Sequence, residues 1–183
     1  MIRFFDITFS IIGLLLLYPI ILVLLLIGYF DTGSPLFRQE RMGVNQKPFK
    51  LFKFRSMHSN TREVATHLIE VSAITKWGSF LRKSKLDEIP QLFNVLKGDM
   101  SFVGPRPNLI NQEELIQERE IMGVYSVRPG ITGLAQIQKI DMSTPELLAK
   151  TDSDMIVKLN LSNYFKYIFY TLTGRGFGDR VKS

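Results

Sequence analysis

The chain has no cysteine among its 183 residues. Disulfides and thiolate metal sites are therefore excluded, and the composition fits a reducing compartment. Histidine is almost as scarce. His58 and His67 stand nine residues apart in a polar stretch, a spacing poorly suited to zinc. Acidic residues are outnumbered, 17 Asp and Glu against 23 Lys and Arg, for a formal net charge of +6. That excess points to an anionic partner: a phosphorylated substrate, an acidic membrane face or nucleic acid. Nucleic acid is set aside, because no recognisable binding motif accompanies the charge. There is no internal repeat and no low-complexity segment, and the length suits one domain.

Charge is missing altogether from Ile7 to Phe30, a run of 24 residues. As a straight helix it would measure about 36 Å, against a hydrocarbon core of roughly 30 Å. No small-x-small cleavage site follows it, which disfavours a signal peptide. Pro19, at its middle, removes one backbone hydrogen bond and disfavours helical geometry at Tyr18. A kinked spanning helix and a re-entrant hairpin both fit. Arg38, Arg41, Lys47, Lys50, Lys53 and Arg55 follow the run, which places the bulk of the chain on the cytosolic side.

Beyond the turn at Asp31–Pro35, Leu36–Arg41 and Phe49–Met57 read as a β-hairpin. Alternation along the second strand puts Leu51, Lys53 and Arg55 on one face, where Lys53 and Arg55 together suit a phosphate. A basic surface facing anionic lipid is the plainer alternative. Asn60–Ser72 is polar, a helix or a mobile loop. Ile74–Ser84 reads as a helix, with a partner from Asp87 to Leu96 stopped by Gly98. Asn111–Met122 reads as a solvated, charged scaffold helix. Thr144-Pro145-Glu146 opens another helix, running to about Leu159. Leu161–Leu172 is amphipathic and aromatic, fit equally for the membrane interface and the core. Gly174–Arg180 reads as a flexible or partner-ordered tail. The fold expected is α+β and mostly helical: a membrane segment over residues 1–31, then a domain over 32–183 with a short β-hairpin and interfacial amphipathic helices.

The candidate site centres on Lys85-Leu86-Asp87-Glu88-Ile89-Pro90-Gln91-Leu92. Two adjacent carboxylates lie among cations, at what reads as a helix N-terminus, where negative charge is favoured. An ionised Asp87 suits a nucleophile toward phosphorus, and Glu88 suits a divalent cation. For the bare pair alone, Asp87 as a simple N-cap with Glu88 as a dipole partner is the commoner explanation, and the rest of the chain has to outweigh it. Gly104-Pro105-Arg106-Pro107 is a proline-stiffened loop that presents a guanidinium, apt for phosphate. Arg128-Pro129-Gly130 repeats the device.

These motifs, in this order, resemble the bacterial sugar transferases, the monotopic phosphoglycosyl transferases. The resemblance rests on the Pro-broken apolar segment, Phe37–Gly43, Phe49–Met57, Leu81–Gln91, Asn94–Pro107 and Val127–Gly133, and extends to about residue 137. It implies transfer of a sugar 1-phosphate from a UDP-sugar to polyprenyl phosphate at the cytosolic face of the bacterial inner membrane. UMP leaves, and the polyprenyl-diphosphate sugar initiates glycan assembly. It further implies Asp87 as the nucleophile of an aspartyl-phosphosugar intermediate and Glu88 as a Mg²⁺ ligand. It makes the apolar segment a re-entrant helix-break-helix. Lys53, Arg55, Arg106, Pro107, Arg128 and Gln136 are the substrate-binding candidates. Membrane lipids are expected partners, and a homodimer is compatible with the pattern. The chain departs from the family's pattern at Tyr18, where serine is usual, at Gln138–Asp141, and at Lys166, where an aspartate is expected. With no large membrane domain ahead of it, the chain reads as the small form of the family. A non-enzymatic scaffold of a polysaccharide assembly complex is the competing class. Convergence of Lys53, Asp87, Glu88 and Arg106 on one pocket would separate the two.

Overall fold

The computed structural model describes residues 1–58 and 73–173, so the polar stretch Asn60–Ser72, His67 and the Gly174–Arg180 tail lie outside the described residues. The apolar run forms one helix, α1, from Ile2 to Thr32. It is the one helix among the described residues long and apolar enough to cross a membrane. Pro19 lies inside it, and the helix continues through the position where a break was expected. A proline interrupts one ladder bond, and the turns on either side hold the helix together. Gly33, left-handed at φ 72°, ends it by returning its N–H to Tyr29 O.

One stripe of α1 lies along the rest of the molecule. Asp6, Ser10, Leu24 and Gly28 are buried, and Gly13 and Leu17 are half-buried between them, at helical spacing. Near its start, Arg3 donates to Val95 O at 2.6 Å and to Leu96 O at 3.0 Å. Asp6 Oδ1 accepts from Ser101 Oγ, Phe102 N and Tyr164 OH at 2.9, 3.0 and 2.9 Å. Near its end, Leu24 packs with Phe54 and Leu81. Both ends of α1 therefore rest on the same domain. The opposite face, including Phe4, Leu15, Leu16, Tyr18, Leu26 and Phe30, is exposed.

The hairpin forms as read. Strands β1 (Leu36–Met42) and β2 (Pro48–Phe54) pair antiparallel, with Phe37 opposite Lys53. Phe49, Leu51 and Lys53 point inward from β2. Helix α2 (Lys76–Ser84) is capped by Thr75 Oγ1, which accepts from Gly78 N at 2.8 Å. Helix α3 (Gln91–Lys97) ends at left-handed Gly98, as expected. Asn94, fully buried in α3, ties it to β2. It accepts from Phe52 N at 3.0 Å and donates to Lys50 O at 2.7 Å.

A second pairing was not legible in the sequence. Strands β3 (Ser101–Val103) and β4 (Gly130–Thr132) run parallel, Ser101 beside Gly130. They bring the Gly104–Pro107 and Arg128–Gly130 loops side by side. A Cβ on Gly130 would fall 2.1 Å from Gly104 N, so only glycine permits this approach.

The remaining helices are α4 (Glu113–Ile121), α5 (Leu134–Ile137), α6 (Pro145–Val157) and α7 (Leu161–Leu172). Helix α6 starts with Pro at its first position, as read from Thr144-Pro145. The expectation of a merely solvated α4 is corrected: Leu115 and Arg119 are buried, and Leu115 packs with Ala135 and Leu148. In α7 two of the three tyrosines face inward. Tyr164 and Tyr167 join Val103 and Met155 in the core, while Phe169 and Leu172 stay exposed. The helix thus serves both readings, a core face and an open apolar face.

Candidate active site

The carboxylate pair does not open a helix as expected. Leu86–Glu88 form a single 3-10 turn, and the α-helical ladder of α3 begins only after Pro90. The reason lies at Pro90, which has no N–H to return to the turn before it. Lys85, in the left-handed conformation at φ 58°, ends α2 and reverses the chain into this turn. The turn is packed beneath α1 and against β2, with Leu86 and Ile89 on the cluster of Leu24, Phe54 and Leu81.

Asp87 is 5 % exposed. Its neighbour Glu88 meets two cations from distant elements. Lys53 Nζ lies 3.3 Å from Glu88 Oε1, and Arg106 Nη2 lies 3.2 Å from the same oxygen. Lys53 arrives on β2, which Asn94 holds to α3, and Arg106 arrives on the loop after β3. These side chains are only 10–20 % exposed, which weakens solvent screening of the pairs.

The Arg106 loop is gripped from behind. Arg41 Nη1 donates to Pro107 O at 3.1 Å, and Arg119 Nη1 donates to Arg106 O at 2.8 Å. Arg41 and Arg119 are both buried. Neither was a site candidate in the sequence, because nothing local distinguishes them from other surface arginines.

A cavity of about 340 Å³ opens beside Glu88. Its wall is mostly apolar: Leu17 of α1, Ile89, Leu92, Phe102, Ile131 and Ile168. Lys85, Glu88, Thr132, Gln136 and Thr171 supply its polar part. Gln136, 7 % exposed, has an Oε1 without a hydrogen-bond partner among the described residues.

Two expected substrate ligands are placed elsewhere. Arg55 lies past the end of β2, where it donates to Ser34 O at 3.0 Å and stacks over Phe37. Arg128 Nε donates to Gly98 O at 2.8 Å, capping the end of α3. Pro107 is buried, and its contribution to the site is its carbonyl, through Arg41. The structure thus brings Lys53, Glu88 and Arg106 together, next to Asp87 in the same turn, with Gln136 across the cavity.

A family model described as "Bacterial sugar transferase" matches residues 1–175. The chain belongs to the bacterial sugar transferase family. This sugar transferase is 43 % identical over 136 residues to the uncharacterized sugar transferase EpsL of Bacillus subtilis (strain 168), covering 74 % of this chain and 67 % of that protein. It is 42 % identical over 152 residues to a UDP-glucose:undecaprenyl-phosphate glucose-1-phosphate transferase of Xanthomonas campestris pv. campestris, covering 78 % of this chain. It is 42 % identical over 139 residues to the protein of the same name in Escherichia coli (strain K12), covering 72 % of this chain. The matches cover 31 % and 30 % of those two proteins, so the chain spans under a third of their length. The long apolar helix α1 is consistent with a membrane-associated transferase.

Proposed function

We propose that this transferase moves a sugar 1-phosphate from a UDP-sugar to polyprenyl (undecaprenyl) phosphate, releasing UMP. The observation that carries the reading is the placement of Glu88 between Lys53 and Arg106, one residue from buried Asp87, at the mouth of an apolar cavity. Cations gathered from β2 and the post-β3 loop suit a diphosphate, and an apolar wall shared with α1 suits a prenyl chain.

In this mechanism an Asp87 carboxylate oxygen attacks the phosphorus that carries the sugar. The bond from that phosphorus to the UMP oxygen breaks, and UMP leaves with the electron pair. The phosphate oxygen of the acceptor lipid then attacks the same phosphorus, and the Asp87 carboxylate is released. Lys53 and Arg106 offset the charge of the diphosphate, so that an anionic nucleophile approaches it. Glu88 offers the hard oxygen donors that Mg²⁺ prefers. No group of three or more His, Asp or Glu gathers among the described residues, so diphosphate and water oxygens would complete the shell. Bound there, Mg²⁺ would neutralise charge developing on the phosphoryl oxygens.

On this reading α1 lies in the cytosolic leaflet without crossing the bilayer, bent at Pro19 so that both ends meet the cytosolic face. Its support is that Arg3 and Asp6 at one end, and Leu24 and Gly28 at the other, lie on one domain while the outer face is apolar. The lipid acceptor and the soluble donor then meet at one surface, where glycan assembly is initiated.

The test is the mass of the intact protein after incubation with a panel of UDP-sugars and Mg²⁺. A gain of one sugar phosphate, mapped to Asp87 and missing in Asp87→Asn, is expected. UMP release that continues unchanged in Asp87→Asn would overturn the nucleophile assignment.

A further inference from the structure

Arg119 is 1 % exposed, yet it spends its donors unevenly. Nη2 donates to Asp152 Oδ2 at 2.6 Å. Nη1 donates to Arg106 O and to Asn108 Oδ1, each at 2.8 Å. Asp152 Oδ1 and Arg119 Nε are left without partners among the described residues. An arginine serving only as an ion-pair partner would use its fork on both carboxylate oxygens. Here one whole arm of the fork goes to the loop instead. The loop needs such support, because the prolines at 105 and 107 have no N–H with which to anchor it.

Asn108 is fully buried and extends the grip. Its Oδ1 also accepts from Tyr125 OH at 3.1 Å, and its own O accepts from Met42 N at 3.0 Å. The same loop residue, Arg106, faces Glu88 through its side chain and Arg119 through its carbonyl. A continuous path of hydrogen bonds thus leads from Asp152 in α6, through Arg119 in α4, to the carboxylate beside Asp87. A buried ion pair contributes little net stability compared with an apolar pair of similar volume. Its use here lies in where it aims the loop.

We propose that Arg119 is a positioning residue for Arg106: its grip on Arg106 O and Asn108 Oδ1 sets the Arg106 guanidinium, and through it the site's affinity for the donor diphosphate. The inference rests on the reaction proposed above. Arg119→Lys retains a cation beside Asp152 but cannot serve Asp152, Arg106 O and Asn108 in the same geometry. Its KM for the UDP-sugar is expected to rise about tenfold, the size of coupling through one shared network.

The decisive measurement is a double-mutant cycle on UMP release. In an Arg106→Ala background, Arg119→Lys is expected to add less than about a twofold loss. Losses that multiply would overturn the proposal, because Arg119 would then act on the fold at large. Asp152→Asn leaves an acceptor for Nη2 and leaves both loop bonds intact. Its KM is expected to stay near the parent value even where its melting point falls; a KM rise matching that of Arg119→Lys would also overturn the proposal. Asn108→Ala takes the place of Arg119→Lys in the same cycle if the lysine variant does not fold.

A readout independent of activity separates this inference from the reaction itself. Hydrogen exchange of Arg119→Lys is expected to speed up at the amides of Arg106, Asn108 and Leu109 and not in the β1–β2 hairpin. Faster exchange at both, or at neither, counts against it. A parent enzyme that releases no UMP would overturn the proposed reaction and leave the exchange result to judge the positioning role.

Discussion

The Arg106 guanidinium donates to Glu88 Oε1 at 3.2 Å, joining the loop after β3 to the turn that carries Asp87. Glu88→Gln keeps the shape of that side chain and removes the charge that gathers Lys53 and Arg106. UMP release is expected to fall by about two to three orders of magnitude, the scale of losing a main electrostatic contact. A Mg²⁺ titration of the same variant should need more metal for half-maximal rate. Release within tenfold of the parent would show that Glu88 is not part of the charge-bearing site.

Asn94 joins the two elements that deliver Lys53 and Glu88. Asn94→Ala leaves Phe52 N and Lys50 O without their partner, at a cost of about 1–3 kcal/mol for two part-buried hydrogen bonds. Asn94→Asp should cost more, because it sets a carboxylate against Lys50 O and close to Asp99, which now accepts from Asn94 at 3.2 Å. Thermal melting in detergent orders the three proteins. An aspartate variant as stable as the parent would contradict the assigned bonds.

Tyr164 provides a pH signature for the docking of α1. Burial, with the Asp6 carboxylate beside it, pushes the Tyr164 phenol far above its usual range. Its hydrogen bond to Asp6 contributes about 1.5–3 kcal/mol, as a bond to a charged group. The raised pKa fixes the sign. The contribution is complete below the unfolded value near 10 and declines as pH rises beyond it, because only the unfolded chain gives up the proton readily. Tyr164→Phe should melt lower than the parent at pH 8, with the gap narrowing above about pH 10. A gap constant across that range would remove Tyr164 from the account.

The absence of cysteine makes the membrane placement of α1 directly measurable. Phe4→Cys and Phe30→Cys lie at exposed positions near the two ends, and Leu16→Cys lies near the middle. In inside-out membrane vesicles a membrane-impermeant thiol reagent is expected to label residues 4 and 30, and to spare residue 16. Labelling of only one end from that side would mean that the helix crosses the bilayer.

Much of this architecture was legible locally. Uncharged length marked α1, alternation marked the hairpin, and Gly98 and Thr144-Pro145 marked helix limits that the backbone adopts. These signals work because they depend on the residue and its nearest neighbours. The helix expected to open at Asp87 failed by a few residues, because Pro90 shifts the start of the α-type ladder past itself.

What the chain could not announce by itself is which polar groups are buried together. Lys53 and Arg55 share a strand face by alternation, yet β2 ends at Phe54 and only Lys53 turns toward Glu88. Arg106 and Arg128 occupy matching loops, yet one faces the carboxylate and the other caps α3. Asp6 and Arg119 look like ordinary surface charges, yet their partners lie as far as 158 and 33 residues away. Periodicity and turn chemistry determine where elements begin and end. The direction and burial of a charged side chain follow from the packing of distant elements, since its charge is tolerated only where they supply partners.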